Sequence, residues 1–154
     1  SALNDLVVSR GSKIRVVNVE ALINGNHFAT YKGDGIVIAT STGSTAYSLS
    51  LGGAILSPSI NNMIMKPIAA HTSLVGGLVI EKDVVISLKA SSNEDLSISV
   101  DGFIDNKIED FDQIDVEIDN ENKAFFLRSE NFEKLYWTSL AQKLDLRKGD
   151  SISG

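Results

Sequence analysis

The sequence predicts a mainly β protein, an antiparallel β-sandwich-like domain with short helices and a C-terminal helix. Two stretches, 96–101 and 114–119, alternate strictly between apolar and polar residues, which is typical of strands with one buried and one wet face. Asn24-Gly25 is the strongest short hairpin signal in the chain, because a type I′ turn requires a positive φ at both central positions. Apolar residues recur at helical spacing over a sizeable length only near the C-terminus. These patterns predict antiparallel sheets packed on one core.

The N-terminal third predicts strands joined by tight turns. We expect a strand beginning at 6–8, a long strand over 13–23 and, after the Asn-Gly turn, a returning strand over 27–31. The polar and glycine residues of 32–35 turn the chain again. The apolar run 36–39 then suits a buried strand.

The middle of the chain is less regular. Residues 40–45 predict a polar loop, and 46–51 predict the short helix that follows it. Residues 58–65 have room for one or two helical turns. We expect 67–73 to form an extended loop before the apolar run 78–80.

The last part of the chain predicts more strands and then a helix. The strands are expected at 84–90, 96–100, 114–118 and 124–127. The helix is predicted from apolar residues at helical spacing, namely Phe132, Leu135, Tyr136, Leu140 and Leu144. Its expected cap is Ser129 or Asn131, and 147–154 is expected to be a polar tail.

Composition excludes several classes of function. The net charge is −6 and the acidic residues are scattered, which argues against nucleic acid or an anionic membrane as the main partner. The chain has no cysteine, so disulfides and thiolate metal sites are excluded. No stretch approaches the roughly 18 continuous apolar residues of a membrane span, and no signal peptide is expected. We therefore expect a cytoplasmic protein.

The loop 40–45 and its neighbours are the candidate ligand site. A Ser/Thr/Gly loop before a helix start offers hydroxyls and free N–H groups to a polar or anionic ligand, although the same pattern describes an ordinary capped turn. Asp34 lies between two glycines and either binds a ligand hydroxyl or amide or forms an Asx turn. The same two interpretations hold for Asp101-Gly102, where the turn is favoured. Tyr47 either stacks on a flat ligand or covers the core.

Metal and common catalytic motifs are not expected. The two histidines, His27 and His71, lack metal-ligand spacing, so no metal site is predicted. The chain has no G-x-x-x-x-G-K-[ST] loop. Gly43-Ser44-Thr45 is not a nucleophile elbow.

Four motifs in order resemble those of the NAD kinases. The run 34–53 is similar to that family's signature, and Asn4-Asp5 is similar to its short Asn-Glu/Asp motif. Residues 67–71 resemble its second binding loop, and 99–102 resemble its late strand and turn. The resemblance covers only the layered, all-β C-terminal domain of a two-domain family. The Gly-Gly-Asp-Gly motif of the family's N-terminal α/β domain is absent from this sequence.

The resemblance implies an organisation and a set of site residues. The NAD-binding domain is expected over 2–128, a helix that packs toward the N-terminal domain over 129–146, and a tail over 147–154. By resemblance, Asn4 and Asp5 meet the adenosine half of NAD. The adenine and its ribose are held by Thr42, Thr45, Ala46, Tyr47 and Ser50. The nicotinamide end is held by Asp34 and Ala69 across a subunit boundary, and His71 lies near the ribose or phosphate.

The sequence departs from the family pattern at a few positions. Ser41 and Ala54 stand where proline is usual, and Phe103 stands where glutamine is common. Gly76-Gly77 replaces the common Arg-Pro after the histidine loop. The missing arginine puts the recognition of phosphate in question.

The resemblance also implies an activity. NAD kinases transfer a phosphoryl group from ATP, or polyphosphate, to the 2′-hydroxyl of the adenosine ribose of NAD, with Mg²⁺ on the ATP phosphates. Their general base is expected on the N-terminal domain, so no catalytic residue is assigned here and the isolated domain is expected to be inactive. A homo-oligomer is expected. The alternative is a non-catalytic, all-β nucleotide-binding or assembly module. The related lipid kinases fit the run 42–47 less well.

Overall fold

The computed structural model describes residues 1–13, 15–70, 76–122, 124–125 and 132–146, with backbone only at 104–107 and 132–134. The chain divides into two compact units, Ser1–Asn122 and Lys123–Gly154. The first unit is built from antiparallel sheets, which confirms the predicted fold class. The domain boundaries expected from the sequence stay a prediction.

The larger sheet of the first unit has six strands. Its strands, in spatial order, are β6 (Leu78–Ile80), β5 (Met63–Ile68), β4 (Gly35–Thr40), β1 (Asp5–Arg10), β8 (Leu96–Val100) and β9 (Phe103–Ile108). Each strand pairs antiparallel with its neighbours. β1 and β4 lie at the centre, so the predicted buried run of β4 is confirmed.

The smaller sheet has four strands. In spatial order they are β10 (Gln113–Val116), β7 (Ile86–Ser91), β2 (Val17–Ile23) and β3 (Asn26–Gly33). The turn between β2 and β3 has φ of 48° at Asn24 and 77° at Gly25, which confirms the predicted hairpin turn. The long strand expected from residue 13 begins only at Val17.

The main core is formed by the facing surfaces of the two sheets. It includes Val8, Ile36 and Ile38 of the six-stranded sheet and Val19 and Leu88 of the four-stranded sheet. A second apolar cluster lies on the other, outer face of the six-stranded sheet, where Leu51 packs against Val7, Val37, Ala39 and Ile68. The short helix α1 (Tyr47–Ser50) precedes Leu51 in the chain.

The chain crosses between the sheets at a single residue. β3 ends at Gly33 in one sheet and β4 begins at Gly35 in the other, with Asp34 between them. A Cβ at position 35 would overlap the carbonyl oxygen of Val8, so only glycine fits this crossing. The turn predicted over 32–35 is therefore shorter than expected, because only Asp34 lies between the two strands.

Several expectations about the elements differ from the structure. Residues 58–65 were predicted to have room for helical turns and 67–73 to form an extended loop, but β5 runs from Met63 to Ile68 and takes residues from both. The strand β9 was not predicted. Residues 124–125, part of the strand expected over 124–127, are not in a strand, and 126–127 lie outside the described residues.

The second unit contains the predicted C-terminal helix, α2 (Phe132–Lys143). Its end is closed by Asp145, whose φ is 51°, and the amide of Leu146 donates to the carbonyl oxygen of Ala141 at 3.0 Å. The rings of Tyr136 and Trp137 meet edge to face, with centroids 5.0 Å apart. The predicted cap residues 129 and 131 and the tail 147–154 lie outside the described residues.

Candidate functional site

One end of the six-stranded sheet brings three of the four motifs together. The amide of Thr40, at the end of β4, donates to the carbonyl oxygen of Asn4 at 2.9 Å. The Thr40 hydroxyl donates to the carbonyl oxygen of Leu3 at 2.7 Å. On the other side, the amide of Asp101, just after β8, donates to the carbonyl oxygen of Asp5 at 2.9 Å. The start of β1 therefore lies between the loop after β4 and the turn after β8.

The Asp101 carboxylate is bound by backbone amides. It accepts N–H groups from Leu3 at 2.7 Å, Asn4 at 2.6 Å and Asp5 at 3.1 Å. Burial alone would raise the pKa of Asp101, but these three hydrogen bonds outweigh it and hold the pKa below its ordinary value. The favoured interpretation of Asp101-Gly102 as a turn is confirmed by φ values of 49° and 82°.

The loop after β4 packs directly on the start of β1. A Cβ at position 43 would overlap the carbonyl oxygen of Asn4, so Gly43 permits a backbone contact that no side chain would allow. The amide of Gly43 donates to the Thr40 hydroxyl at 3.0 Å. The loop conformation is therefore tied to the position of Asn4.

Hydrogen bonds from two buried serines, Ser41 and Ser44, stabilise the same loop. The Ser44 hydroxyl donates to the carbonyl oxygen of Ser41 at 2.7 Å and accepts the amide of Leu56 at 3.0 Å. The Ser41 hydroxyl donates to the carbonyl oxygen of Ile60 at 2.6 Å. Ser41, which replaces the proline usual in the resembling family, thus ties the loop to the segment before β5.

A helix dipole does not contribute to this site. The helix expected over 46–51 is a single turn, Tyr47–Ser50, preceded by a 3₁₀ turn at Gly43–Thr45. Aligned peptide dipoles accumulate over longer helices. The polar groups of the loop are therefore its hydroxyls and amides, and the Thr45 hydroxyl donates to the carbonyl oxygen of Thr42 at 3.2 Å.

A cavity of about 650 Å³ lies along the outer face of the six-stranded sheet, and we call it the outer cavity. Its floor follows the register of β1 and β8, where Val7 pairs with Ser99 and Ser9 with Ser97. The lining residues are Asp5, Val7, Ser9, Arg10, Gly11, Ser12, Tyr47, Asp95, Leu96, Ser97, Ser99 and Gly102. The outer cavity thus connects the three motifs with the far ends of β1 and β8.

Asp5 is the buried carboxyl group of the outer cavity, with 6% of its surface exposed. Burial raises its pKa, and the nearby charge of Asp101 raises it further. A ligand hydroxyl that donates to the Asp5 carboxylate would replace the hydrogen bonds to water that this carboxylate loses on burial. Asp5 is therefore suited to bind a hydroxyl donor.

Tyr47 lines the other side of the cavity and is 43% exposed. Thr45 and Ser50 are exposed beside it, while Thr42 and Ala46 are half-buried. An accessible aromatic ring beside hydroxyls can stack on a flat polar ligand. The interpretation of Tyr47 as core cover is not supported by this exposure.

Asp34 and Ala69 lie at the opposite end of β4 from Thr42. The six residues of β4 span roughly 17–20 Å. The amide of Asp34 donates to the carbonyl oxygen of Ile68 at 2.9 Å, so Asp34 adjoins Ala69, whose φ is 46°. Among the predicted site residues, these two form a separate group, and His71 lies outside the described residues.

Sequence reasoning missed several residues of the outer cavity. Ser97 and Ser99 lie on the polar face of β8, and its alternation is the signal that could have placed them on one surface. Ser9 lies in β1, whose residues do not alternate. Arg10, the last residue of β1, also lines the cavity, but nothing in its local sequence marks it. The amide contacts of Asp101 join residues far apart in sequence and carry no local signal.

Two kinds of feature are absent from the part of the chain that the structure describes. No group of three or more His, Asp or Glu residues there could hold a metal ion. None of its helices has the length and apolar character needed to cross a membrane.

Comparison with known proteins supplies a family. A model described as ATP-NAD kinase C-terminal domain matches residues 3–128. NAD kinase of Caldanaerobacter subterraneus is 40% identical over 144 residues, which cover 92% of this chain and 51% of that protein. NAD kinase of Dehalococcoides mccartyi is 37% identical over 152 residues, which cover 98% of this chain and 51% of that protein. The chain spans about half the length of the curated relatives it matches.

Solved structures share the fold. A yeast NADH kinase complexed with NADH superposes with a TM-score of 0.81 and 26% identity, covering 99% of this chain and 46% of that chain. An NAD kinase from Archaeoglobus fulgidus in complex with ATP superposes with a TM-score of 0.75 and 24% identity. That match covers 91% of this chain and 54% of the other, and supports the fold alone.

Proposed function

Because this chain belongs to the family of ATP-NAD kinase C-terminal domains, we propose that it forms the NAD-binding part of an NAD kinase. The enzyme would transfer a phosphoryl group from ATP, or polyphosphate, to the 2′-hydroxyl of the adenosine ribose of NAD and produce NADP. The observation that carries the proposal has two parts. Hydrogen bonds join Asn4-Asp5 to Thr40 and to Asp101, and one residue of each of these three motifs, Asp5, Tyr47 and Gly102, lines the same cavity.

In this proposal the outer cavity binds the adenosine half of NAD. The Asp5 carboxylate, 6% exposed, accepts a hydrogen bond from a ribose hydroxyl, and Asn4 beside it contributes a second polar contact. The ring of Tyr47 stacks on the adenine. The hydroxyls of Thr42, Thr45 and Ser50 and the backbone of Ala46 offer hydrogen-bond partners to the base and its ribose.

The nicotinamide half belongs, in this proposal, to the second group of residues. Asp34 and Ala69 adjoin each other at the far end of β4, roughly 17–20 Å from the loop after that strand. We propose that they contact the nicotinamide end of a dinucleotide held by another subunit of a homo-oligomer. His71 is proposed to lie near the ribose or phosphate.

The chemical step is proposed to need a part of the enzyme beyond this chain. Phosphoryl transfer depends on positioning and on charge stabilisation, and Mg²⁺ usually reaches such sites on the nucleotide phosphates. The general base is proposed to be the aspartate of a Gly-Gly-Asp-Gly motif in an N-terminal domain. This chain therefore binds and orients the acceptor, and we expect the chain alone to be inactive.

The test combines binding with activity. Calorimetry with NAD should detect binding by the protein expressed from its complete reading frame and a large loss in Tyr47→Ala. Phe28→Ala is the matched control, because Phe28 is 45% exposed on β3 of the other sheet. Phosphorylation of NAD by the complete protein supports the proposal, and turnover by this chain alone would overturn the need for a second domain.

A non-catalytic nucleotide-binding or assembly module is the alternative. It predicts that NAD binds in the same cavity but that the complete protein does not phosphorylate NAD with any phosphoryl donor. The reading frame upstream of this chain distinguishes the two, because a Gly-Gly-Asp-Gly motif there favours the kinase.

A further inference from the structure

Three successive amides converge on one carboxylate where β1 begins. Leu3 donates to Oδ2 of Asp101 at 2.7 Å, while Asn4 and Asp5 donate to Oδ1 at 2.6 and 3.1 Å. Successive residues of a regular strand face opposite directions, so this convergence requires a bent backbone. Successive N–H groups arranged in this way form an anion-binding concavity. The anion bound here is the side chain of Asp101.

The turn after β8 fixes the position of that carboxylate. Asp101 has a φ of 49° and is followed by Gly102 with a φ of 82°, in the hairpin between β8 and β9. The amide of Asp101 also donates to the carbonyl oxygen of Asp5 at 2.9 Å. Asp101 therefore makes four hydrogen bonds to the segment 3–5, one through its backbone and three through its carboxylate.

The opposite side of the same segment is closed by the end of β4 and the loop after it. Gly43 packs on the backbone of Asn4, and Thr40 binds the carbonyl oxygens of Leu3 and Asn4. With the backbone held from both sides, the directions of the Asn4 and Asp5 side chains are determined. Of these two sets of contacts to residues 3–5, only those made by Asp101 involve a charged group.

We propose that Asp101 is a positioning residue for the acceptor nucleotide: its carboxylate holds the backbone of 3–5 so that the Asp5 side chain faces the ribose in the outer cavity, with Asn4 next to it in the chain. This inference rests on the proposed function. Asp101 acts through these two residues and not on the phosphoryl group. Its removal should therefore weaken the binding of NAD much more than it slows the bound enzyme.

The test uses the protein expressed from its complete reading frame with Asp101→Asn. Asparagine tolerates a positive φ and has the same size, but it lacks the charge and one acceptor oxygen. Hydrogen bonds to charged groups are among the stronger ones, so we expect the KM for NAD to rise about tenfold or more. We expect kcat and the KM for ATP to change by less than about twofold. Asp101→Glu, which retains the charge, should recover part of the loss.

Asp119→Asn is the matched control. The Asp119 carboxylate also accepts backbone amides, from Glu121 and Asn122 at 2.9 Å each, and does not line the outer cavity. Its substitution should leave all three kinetic constants unchanged. A rise in the KM for NAD in this variant equal to that of Asp101→Asn would overturn a specific role for Asp101.

Amide hydrogen exchange separates the inference from the proposed function. Asp101→Asn should accelerate exchange at residues 3–5 and leave exchange in β4 unchanged. Faster exchange at 3–5 with an unchanged KM for NAD would overturn the positioning role, as would unchanged exchange. If the unaltered protein does not phosphorylate NAD, the proposed function fails. Faster exchange at residues 3–5 in Asp101→Asn would then still show that Asp101 orders this backbone, and unchanged exchange would show that it does not.

Discussion

The Nε atom of Arg10 lies 3.1 Å from Oδ1 of Asp34, and the backbone amide of Arg10 donates to the carbonyl oxygen of the same aspartate at 3.0 Å. These contacts tie the end of β1 to the one-residue crossing between the sheets. Arg10 also lines the outer cavity. Asp34, which the resemblance assigns to the nicotinamide end, therefore carries its own cationic partner at the far end of that cavity.

The ion pair of Arg10 and Asp34 should contribute little to stability. Their side chains are 29% and 41% exposed, and pairs accessible to water typically contribute about 0.2–1 kcal/mol. A double-mutant cycle with Arg10→Met and Asp34→Asn, measured by urea unfolding, should give a coupling in this range that falls in about 1 M salt. A coupling above roughly 2 kcal/mol that resists salt would contradict this description.

Asp5→Asn should separate binding from stability. The substitution removes a buried carboxylate beside the charge of Asp101, so the free energy of unfolding at neutral pH should stay within about 1 kcal/mol, in the stabilising direction. The affinity for NAD should fall about tenfold or more, because a charge-assisted hydrogen bond to the ribose is lost. Calorimetry and chemical denaturation measure the two effects. Loss of stability together with unchanged affinity would show that Asp5 is structural.

The affinity for NAD should depend on pH through Asp5. A ribose hydroxyl donates to the ionised carboxylate, so binding favours the charged form. Burial, and then the charge of Asp101, raise the pKa of Asp5 in the free protein. Affinity should therefore be greatest above this raised pKa and fall as the pH drops through it, beginning at a higher pH than for an ordinary aspartate. Calorimetric titrations across acidic pH should show this fall, and a matching fall in Asp5→Asn would contradict the assignment.

Ser44 and Ser48 form a matched pair of fully buried serines with opposite expected effects. The Ser44 hydroxyl makes two hydrogen bonds, so Ser44→Ala should cost about 1–3 kcal/mol of unfolding free energy because the amide of Leu56 loses its acceptor. The Ser48 hydroxyl is buried without a partner, so Ser48→Ala should be neutral or stabilising. Thermal unfolding measures both, and an equal loss in the two variants would contradict the hydrogen bonding of the loop.

The sequence predicted strands of two kinds, those whose residues alternate and those that form a continuous apolar run. The alternating strand β8 was placed over its observed range, β10 was placed two residues too far at its end, and β4 was predicted from its apolar run. The hairpin at Asn24-Gly25 was predicted from its turn chemistry. β5 is buried on both faces as β4 is, so it has no alternation. It was not predicted because Lys66 and Pro67 interrupt its apolar run and a proline argues against a strand.

The sequence predicted the site residues that belong to local motifs, but not the contacts between residues distant in sequence. The resemblance named Asn4, Asp5 and Tyr47, and the structure places Asp5 and Tyr47 in the lining of one cavity. The contacts of Asp101 with 3–5 join residues 96 to 98 positions apart. Such contacts depend on the pairing of β1 with β8, which short-range patterns do not specify.

The most direct test of the central claim is a crystal structure of the protein, expressed from its complete reading frame, in complex with NAD. We expect the adenosine in the outer cavity, with a ribose hydroxyl within hydrogen-bond distance of the Asp5 carboxylate and the adenine against the ring of Tyr47. A dinucleotide bound elsewhere, with neither Asp5 nor Tyr47 in contact, would contradict the account.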